Sequence, residues 1–388
     1  MNNLKKIMAL MLAVVMFASL CACSQLPKTL DKQWSYKDGD SEYAIGVHIY
    51  SLVSAYNQAY SVLSEAQGDK FDSSASILGV ESSFDESGEI VLCKDWILKE
   101  ADYITKNLMA IDNLIAEYDV EIDPALENSS YQQALKDWDL GPYYEEYRSY
   151  GYTSTPYKEI LEPCGVSFES FYEATYLASV KQSTIFNHFY KKDGIKAVKE
   201  SEVKKFFEDN FTSYSYFTVN LYESSVDSTT NQTVNKALPE DKIKEIKTNL
   251  DFYAAMIKSG TSFDDVSGAY TAYAQLSTNP AVSCVENLEN SSLPEEIADV
   301  VAGLKVGQPK VIYLGEEETT VAYFVYKKSI TKETKSYVGN ETNYESLLQE
   351  MKSEEFLSDM EKITAEVQCE INTAIVDKYT PELIENLI

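Results

Sequence analysis

A mainly helical protein with an α+β unit set into it is the fold class this sequence predicts. Three observations carry that expectation. Apolar residues recur at three- and four-residue steps through much of residues 42–211, the spacing of amphipathic helices. At Thr212 the period changes to two, in the aromatic and β-branched run Tyr214–Tyr222, and two further runs read as a hairpin, Val311–Leu314 and Thr319–Tyr326. From about Asn343 the helical spacing returns.

The chain opens with Lys5-Lys6, an apolar run Ile7–Leu20 whose single polar member is Ser19, and then Leu20-Cys21-Ala22-Cys23. Lysines before an apolar stretch make the n- and h-regions of an export signal. A membrane span needs about 20 apolar residues, and polar Ser24-Gln25 and Pro27-Lys28 follow at once. The ending resembles the lipobox of bacterial lipoproteins. Cys23 fits it with Leu20 and Ala22 before it, whereas Cys21 would have the bulky Leu20 as its direct neighbour. The resemblance implies cleavage after residue 22, lipid on Cys23 and an extracytoplasmic protein anchored to the bacterial cell membrane. Residues 23–41, polar and of mixed charge, are expected as a tether.

A helical domain over 42–211 comes next. Ile45, Ile49, Leu52, Tyr56, Tyr60 and Leu63 line one helix face, and Trp96, Ile97, Ala101, Ile104, Leu108, Ile111 and Leu114 another, with a Gly/Ser/Asp-rich loop over 67–88 between them. Asp123-Pro124 starts a helix interrupted at Gly141-Pro142, and Thr155-Pro156 opens a short one. Ser167 caps a long helix to Tyr190, stopped by Gly194. The α+β unit, 212–330, has a strand from Tyr214, a polar loop over 223–237, and helices begun by Pro239, Ser262 and Pro294 before its hairpin. Residues 331–388 are expected as helices packing back on the first domain, the last capped by Thr380-Pro381.

Charge narrows the function. The chain carries 33 Lys+Arg against 62 Asp+Glu, a net charge of −29, and Arg148 is its single arginine. Such a surface repels nucleic acid, and bidentate phosphate recognition lacks its usual residue. Cys93, Cys164, Cys284 and Cys369 stand far apart without a CxxC pair, so spacing excludes a zinc cluster; buried thiols are the favoured reading, and disulfide pairing stays open. The only histidines are His48 and His188. No HExxH, GxSxG, P-loop or GxGxxG motif occurs, so no cofactor, metal or catalytic triad is expected.

Several ordered segments resemble the PrsA- and SurA-type extracytoplasmic foldases. Phe168–Tyr190 with Glu202–Phe211 looks like the long helix and junction leading into a parvulin strand; Ala255–Val266 looks like the parvulin helix that ends at glycine before the next begins. Leu293–Ile297 with Gly303–Gln308 is similar to the late parvulin helix and its exit. The resemblance implies a SurA- or trigger-factor-like helical chaperone domain, built from both chain ends around a parvulin-like domain, that binds unfolded or nascent secreted polypeptides. Active parvulins carry a histidine on the first and last strands, and this unit has none. Thr271–Glu289, where the proline pocket belongs, has no Gly, Met or Phe. The parvulin-like unit is therefore expected to be degenerate, with no catalytic residue. Two alternatives remain open: an active prolyl isomerase using Tyr216, Asn220, Cys284 or Tyr323, and a solute-binding lipoprotein.

Aromatic rings are the candidate polypeptide-binding residues. The chain has 29 Tyr, 15 Phe and 3 Trp. Trp138, Tyr143, Tyr144, Tyr147 and Tyr150 cluster, and Phe168, Phe171, Tyr172 and Tyr176 share a helix face. Rings offer wide apolar area with few rotatable bonds, which suits varied clients, although any single one is as readily core packing.

Overall fold

The computed structural model describes residues 32–39, 41–85, 88–226 and 232–387. The expected signal segment, Cys23 and the start of the expected tether lie outside these residues. Helix makes up 58% of the described residues and the sheets are small, so the mainly-α expectation holds at the level of class. The chain divides into two compact units: residues up to Ala197 together with those from Lys352 onward, and Val198–Met351.

In the terminal unit, fold begins inside the stretch expected as a tether. Trp34–Asp38 and Ser41–Ala44 are antiparallel strands, and Glu370–Ile371 pairs on the other side of Trp34–Asp38. Alternation decides it: Tyr36 and Tyr43 are buried, and their hydroxyls donate to Asp102 and Asp112 on the helix Cys93–Glu117. The helix Ile45–Gln67 is the centre of the unit. Ile45, Val47, His48, Ile49, Ser51, Leu52 and Val53 are all buried, leaving its first turns almost no solvent face. The loop that follows folds inward through Ile77, Leu78 and Phe84, and Phe84 stacks on Trp96 at 5.1 Å.

Residues from the far end of the chain complete that core. Tyr379 and Ile384 are buried in the cluster built on Ile45–Gln67. The Glu385 carboxylate accepts from Tyr56 Oη (3.2 Å), Ser76 Oγ (2.8 Å) and the Ile77 amide (3.0 Å), and Lys94 pairs with Glu382. Phe356 packs edge-on against Phe186 at 5.4 Å.

The inserted unit holds a four-stranded antiparallel sheet in the order Val282–Glu286, Thr212–Asn220, Val321–Lys327, Pro309–Leu314. Phe217 lies opposite Phe324 in register, their rings stacked at 4.9 Å, and with Val219 and Ala322 they pack under the helices Glu240–Lys258 and Phe263–Tyr273. Tyr214 and Val325 face the other way, against Ile297 and Val301 of Glu295–Gly303. Residues 223–237, expected as a loop, instead carry most of a polar hairpin, Tyr222–Val226 with Thr233–Ala237.

The boundaries at 212 and 330 move outward to Val198 and Met351. The helices Glu200–Asn210 and Thr334–Val338 belong to this unit because Phe207 stacks on Tyr337 at 4.5 Å and Thr334 Oγ1 donates to Glu208 at 2.7 Å. Residues 331–351, expected with the terminal unit, are grouped with the inserted one, and the terminal unit takes in the chain from Lys352. Among the described residues no helix is long and apolar enough to cross a membrane.

Candidate functional site

The aromatic cluster predicted from sequence resolves into a core and a cleft. Asp123 caps the helix Pro124–Leu140, its carboxylate accepting from the Ala125 amide at 2.8 Å, with proline in the tolerated first turn. The buried face of this helix is Ala134, Asp137 and Trp138. Against it runs the helix begun by Ser167, whose Oγ accepts from the Ser170 amide at 3.2 Å. That helix widens to a π turn at Glu173–Leu177 before resuming as Ala178–Tyr190. Such turns insert one residue and re-aim those nearby; here Tyr176 within it donates its hydroxyl to Asp137 Oδ2.

Phe171 is the hub, with ring centroids at 5.3 Å from Trp138, 5.0 Å from Tyr157 and 5.8 Å from Tyr176. Trp138 and Phe171 are buried, which corrects their expected place on a binding surface: they support the site from beneath. Phe168, Tyr172, Tyr176, Tyr144 and Tyr147 are half-buried. Tyr143 is 48% exposed and Tyr150 71% exposed, so these are the most accessible of the predicted rings.

Tyr143, Tyr144 and Tyr176 line a cleft of about 390 Å³ with Tyr157, Gln133, Asp137, Lys136, Pro142, Glu145 and Glu146. Tyr150, Tyr147, Phe168 and Tyr172 are not in its wall. Asp137 is 5% exposed, and Gln133 Nε2 donates to its Oδ1 at 2.9 Å. Its charge is felt around it. Burial first, then Asp137, pushes the Tyr157 phenol up to about 12. The Tyr176 phenol is held well above the usual range by burial, then by its hydrogen bond to Asp137. Both rings therefore stay neutral donors at any physiological pH.

One wall is held by unusual backbone. Tyr143 adopts φ 56°, ψ 23°, a left-handed conformation that costs a bulky residue about 1–3 kcal/mol. Gly141 has φ +87°, and a Cβ there would sit 2.3 Å from Ser154 Oγ and 2.6 Å from the Thr155 carbonyl oxygen. Ser154 Oγ in turn donates to the Pro142 carbonyl at 2.6 Å. Gly141→Ala is expected to cost about 2 kcal/mol or more, by φ strain and clash with backbone. A calorimetric melt checks this, and an unchanged Tm contradicts it.

Asp137 and Gln133 are among the wall residues that sequence reasoning missed, with Lys136, Glu145 and Glu146. The signal for Asp137 and Gln133 was present: a carboxylate one residue before Trp138, three after Ala134, on the helix's apolar stripe, with glutamine one turn earlier.

Elsewhere the structure offers less chemistry. In the inserted unit Tyr216, Cys284 and Tyr323 are half-buried on the sheet face that packs around Glu295–Gly303, with Tyr216 and Tyr323 rings 6.5 Å apart, while Asn220 is exposed. The opposed strand centres carry Phe217 and Phe324 into the core. The lysine-rich stretch after residue 190 is largely self-neutralised: Lys196 pairs with Asp359 and Glu355, Lys204 with Glu200 and Lys205 with Asp209. Cys93, Cys164, Cys284 and Cys369 are free thiols. Burial pushes Cys93 and Cys164 up to about 12, which keeps both protonated and inert.

The fold so described is a helical unit assembled from both ends of the chain, with a four-stranded antiparallel α+β unit inserted in the sequence between them. No protein-family model and no curated protein matches the chain. Among solved structures it is similar to PrsA foldases. For foldase protein PrsA from Streptococcus pneumoniae str. Canada MDR_19A, identity is 14% and TM-score 0.36, covering 77% of this chain and 99% of that one. For the Lactococcus lactis foldase protein (PrsA) the values are 13%, 0.34, 92% and 99%. For PrsA from Bacillus subtilis they are 12%, 0.26, 76% and 96%. At such identity and superposition the likeness assigns neither a family nor an activity.

Proposed function

We propose that this protein is an extracytoplasmic, lipid-anchored chaperone of the foldase kind, which holds unfolded or nascent exported polypeptides and lacks prolyl isomerase activity. The observation that carries the reading is the open, tyrosine-lined cleft on the helical unit, set over a rigid aromatic hub. Exposed Tyr143 and the half-buried rings beside it give a client apolar faces and hydroxyl donors at low cost in side-chain entropy. Charge fits the same role: a net −29 keeps the protein soluble and draws basic clients. The anchor belongs to the reading through the Leu20-Cys21-Ala22-Cys23 segment.

Isomerase activity is left out because prolyl isomerisation needs a pocket that desolvates the imide. Residues 198–351 contain no histidine, and the centres of the two middle strands carry Phe217 and Phe324 into a core. A solute-binding lipoprotein needs paired lobes with parallel strands, and every strand pair among the described residues is antiparallel.

The test uses a reduced, aggregation-prone client and a separate client whose refolding is limited by proline isomerisation. Light scattering from the first is expected to fall as the protein approaches equimolar, and the slow phase of the second to keep its rate. Undiminished scattering overturns the holding role. A slow phase accelerated several-fold overturns the absence of isomerase activity.

A further inference from the structure

We propose that the cleft on the helical unit receives a lysine or arginine side chain of the bound polypeptide, its cation against Asp137 and its stem between tyrosine rings. This rests on the polypeptide-binding reading above and names what that site selects.

Asp137 is the reason. The residue is 5% exposed, and both carboxylate oxygens are met by neutral donors, Gln133 Nε2 and the Tyr176 hydroxyl. Among the described residues it makes no ion pair. A buried carboxylate loses hydration that neutral donors only partly restore, and a countercharge is what completes it. Lys136, beside it in the wall, does not serve, since its ammonium is turned to Glu145 at 3.7 Å. Glu145 and Glu146 add negative charge at the rim, so the lining holds three carboxylates against one ammonium.

The remaining lining suits a cationic chain. Tyr143 and Tyr157 line the cleft, and aromatic rings attract an ammonium or guanidinium electrostatically while packing its methylenes. At about 390 Å³ the cleft is near the small end of ligand pockets, a size for one side chain rather than for a folded element. An anionic side chain meets the three carboxylates, and a neutral apolar one leaves Asp137 without its countercharge. Selection follows from both.

The test measures binding of the purified protein to an unstructured fluorescent heptapeptide with one central lysine, and to the same peptide carrying Nε-acetyl-lysine there. The lysine peptide is expected to bind about tenfold more tightly, a preference that shrinks with added salt. Asp137→Asn is expected to bring the lysine peptide down to the acetylated one, whose affinity stays within about twofold of its wild-type value. Should Asp137→Asn fail to fold by near-UV circular dichroism, Glu146→Gln at the exposed rim serves, with the preference expected to fall by about twofold to threefold. Equal affinity for the two peptides, or a preference untouched by these variants, overturns the inference and leaves the polypeptide-binding reading standing. If neither peptide binds, that reading itself fails and takes the inference with it.

Discussion

Deleting residues 379–388 is expected to unfold the terminal unit at room temperature. The deletion removes Tyr379 and Ile384, which are 4% and 0% exposed in the central core, and with them Glu385 and its three hydrogen bonds to Tyr56, Ser76 and Ile77. Emptying two large apolar sites costs about 2–5 kcal/mol each, and each lost hydrogen bond about 1 kcal/mol more. The total, about 7–13 kcal/mol, matches the whole stability of an ordinary domain, about 5–15 kcal/mol. Ile384→Ala alone, at about 2–5 kcal/mol, leaves a folded protein with a lower melting temperature. Near-UV circular dichroism and a thermal melt of both variants decide it. A truncated chain that melts like the full one would show that the C-terminal segment merely rests on the surface.

The second large effect is a pair of opposed pH dependences inside the same unit. His48, buried beside the Tyr36 ring at 5.4 Å with its Nδ1 unpartnered among the described residues, is pulled down to about 4 by burial, against the pull of Asp102. Unfolded, it protonates near 6.5; its stabilising contribution is therefore present above 6.5 and lost as pH falls from there to 4, by about 3 kcal/mol. Glu100 behaves oppositely. Burial first and Asp85 second push its carboxyl up to about 7, with Lys99 opposing. Its contribution is present below 4.5 and lost as pH rises to 7, again by about 3 kcal/mol.

Between about pH 4.5 and 6.5 the two slopes cancel, so neither is visible in the wild-type curve. Glu100→Gln is expected to raise stability at pH 8 and expose the acid-side loss due to His48. His48→Leu exposes the rising-pH loss due to Glu100. Difference curves against wild type remove the titration of the many surface carboxylates, provided those sites are independent. Urea unfolding midpoints at half-unit pH steps measure this. Parallel curves for wild type and both variants would contradict the assignment.

Local chemistry made the helices legible. Asp123, Ser167, Ser262 and Thr380 each accept a hydrogen bond from an amide of the first turn, as residues of those types do when they precede an apolar periodic run. The hairpin about Gly315 was equally plain, because both its strands are short runs of β-branched and aromatic residues on either side of a glycine turn. What escaped depends on partners far away in sequence. Trp34–Asp38 has a local partner in Ser41–Ala44, but the strand on its other side, Glu370–Ile371, lies more than three hundred residues on, so the neighbourhood held no sign of a three-stranded sheet. Val282–Glu286 is an edge strand paired only with Thr212–Tyr216, and its exposed face supplied no alternation. In the binding site, tyrosines were readable as a set, but their division into hub and wall was not. That division comes from the π turn at Glu173–Leu177 and from the burial of Asp137, both products of packing between two helices.

The position of Tyr379 and Ile384 also dictates a schedule. A polypeptide leaves a ribosome or a translocation pore from its amino end, so the hydrophobic centre around Ile45–Gln67 waits, incomplete, until more than three hundred further residues have emerged. During that interval Val198–Met351 is already outside and free to close its own sheet. A protein proposed to shelter half-made chains thus spends most of its own biogenesis as one, with its apolar interior unsealed until the closing stretch arrives.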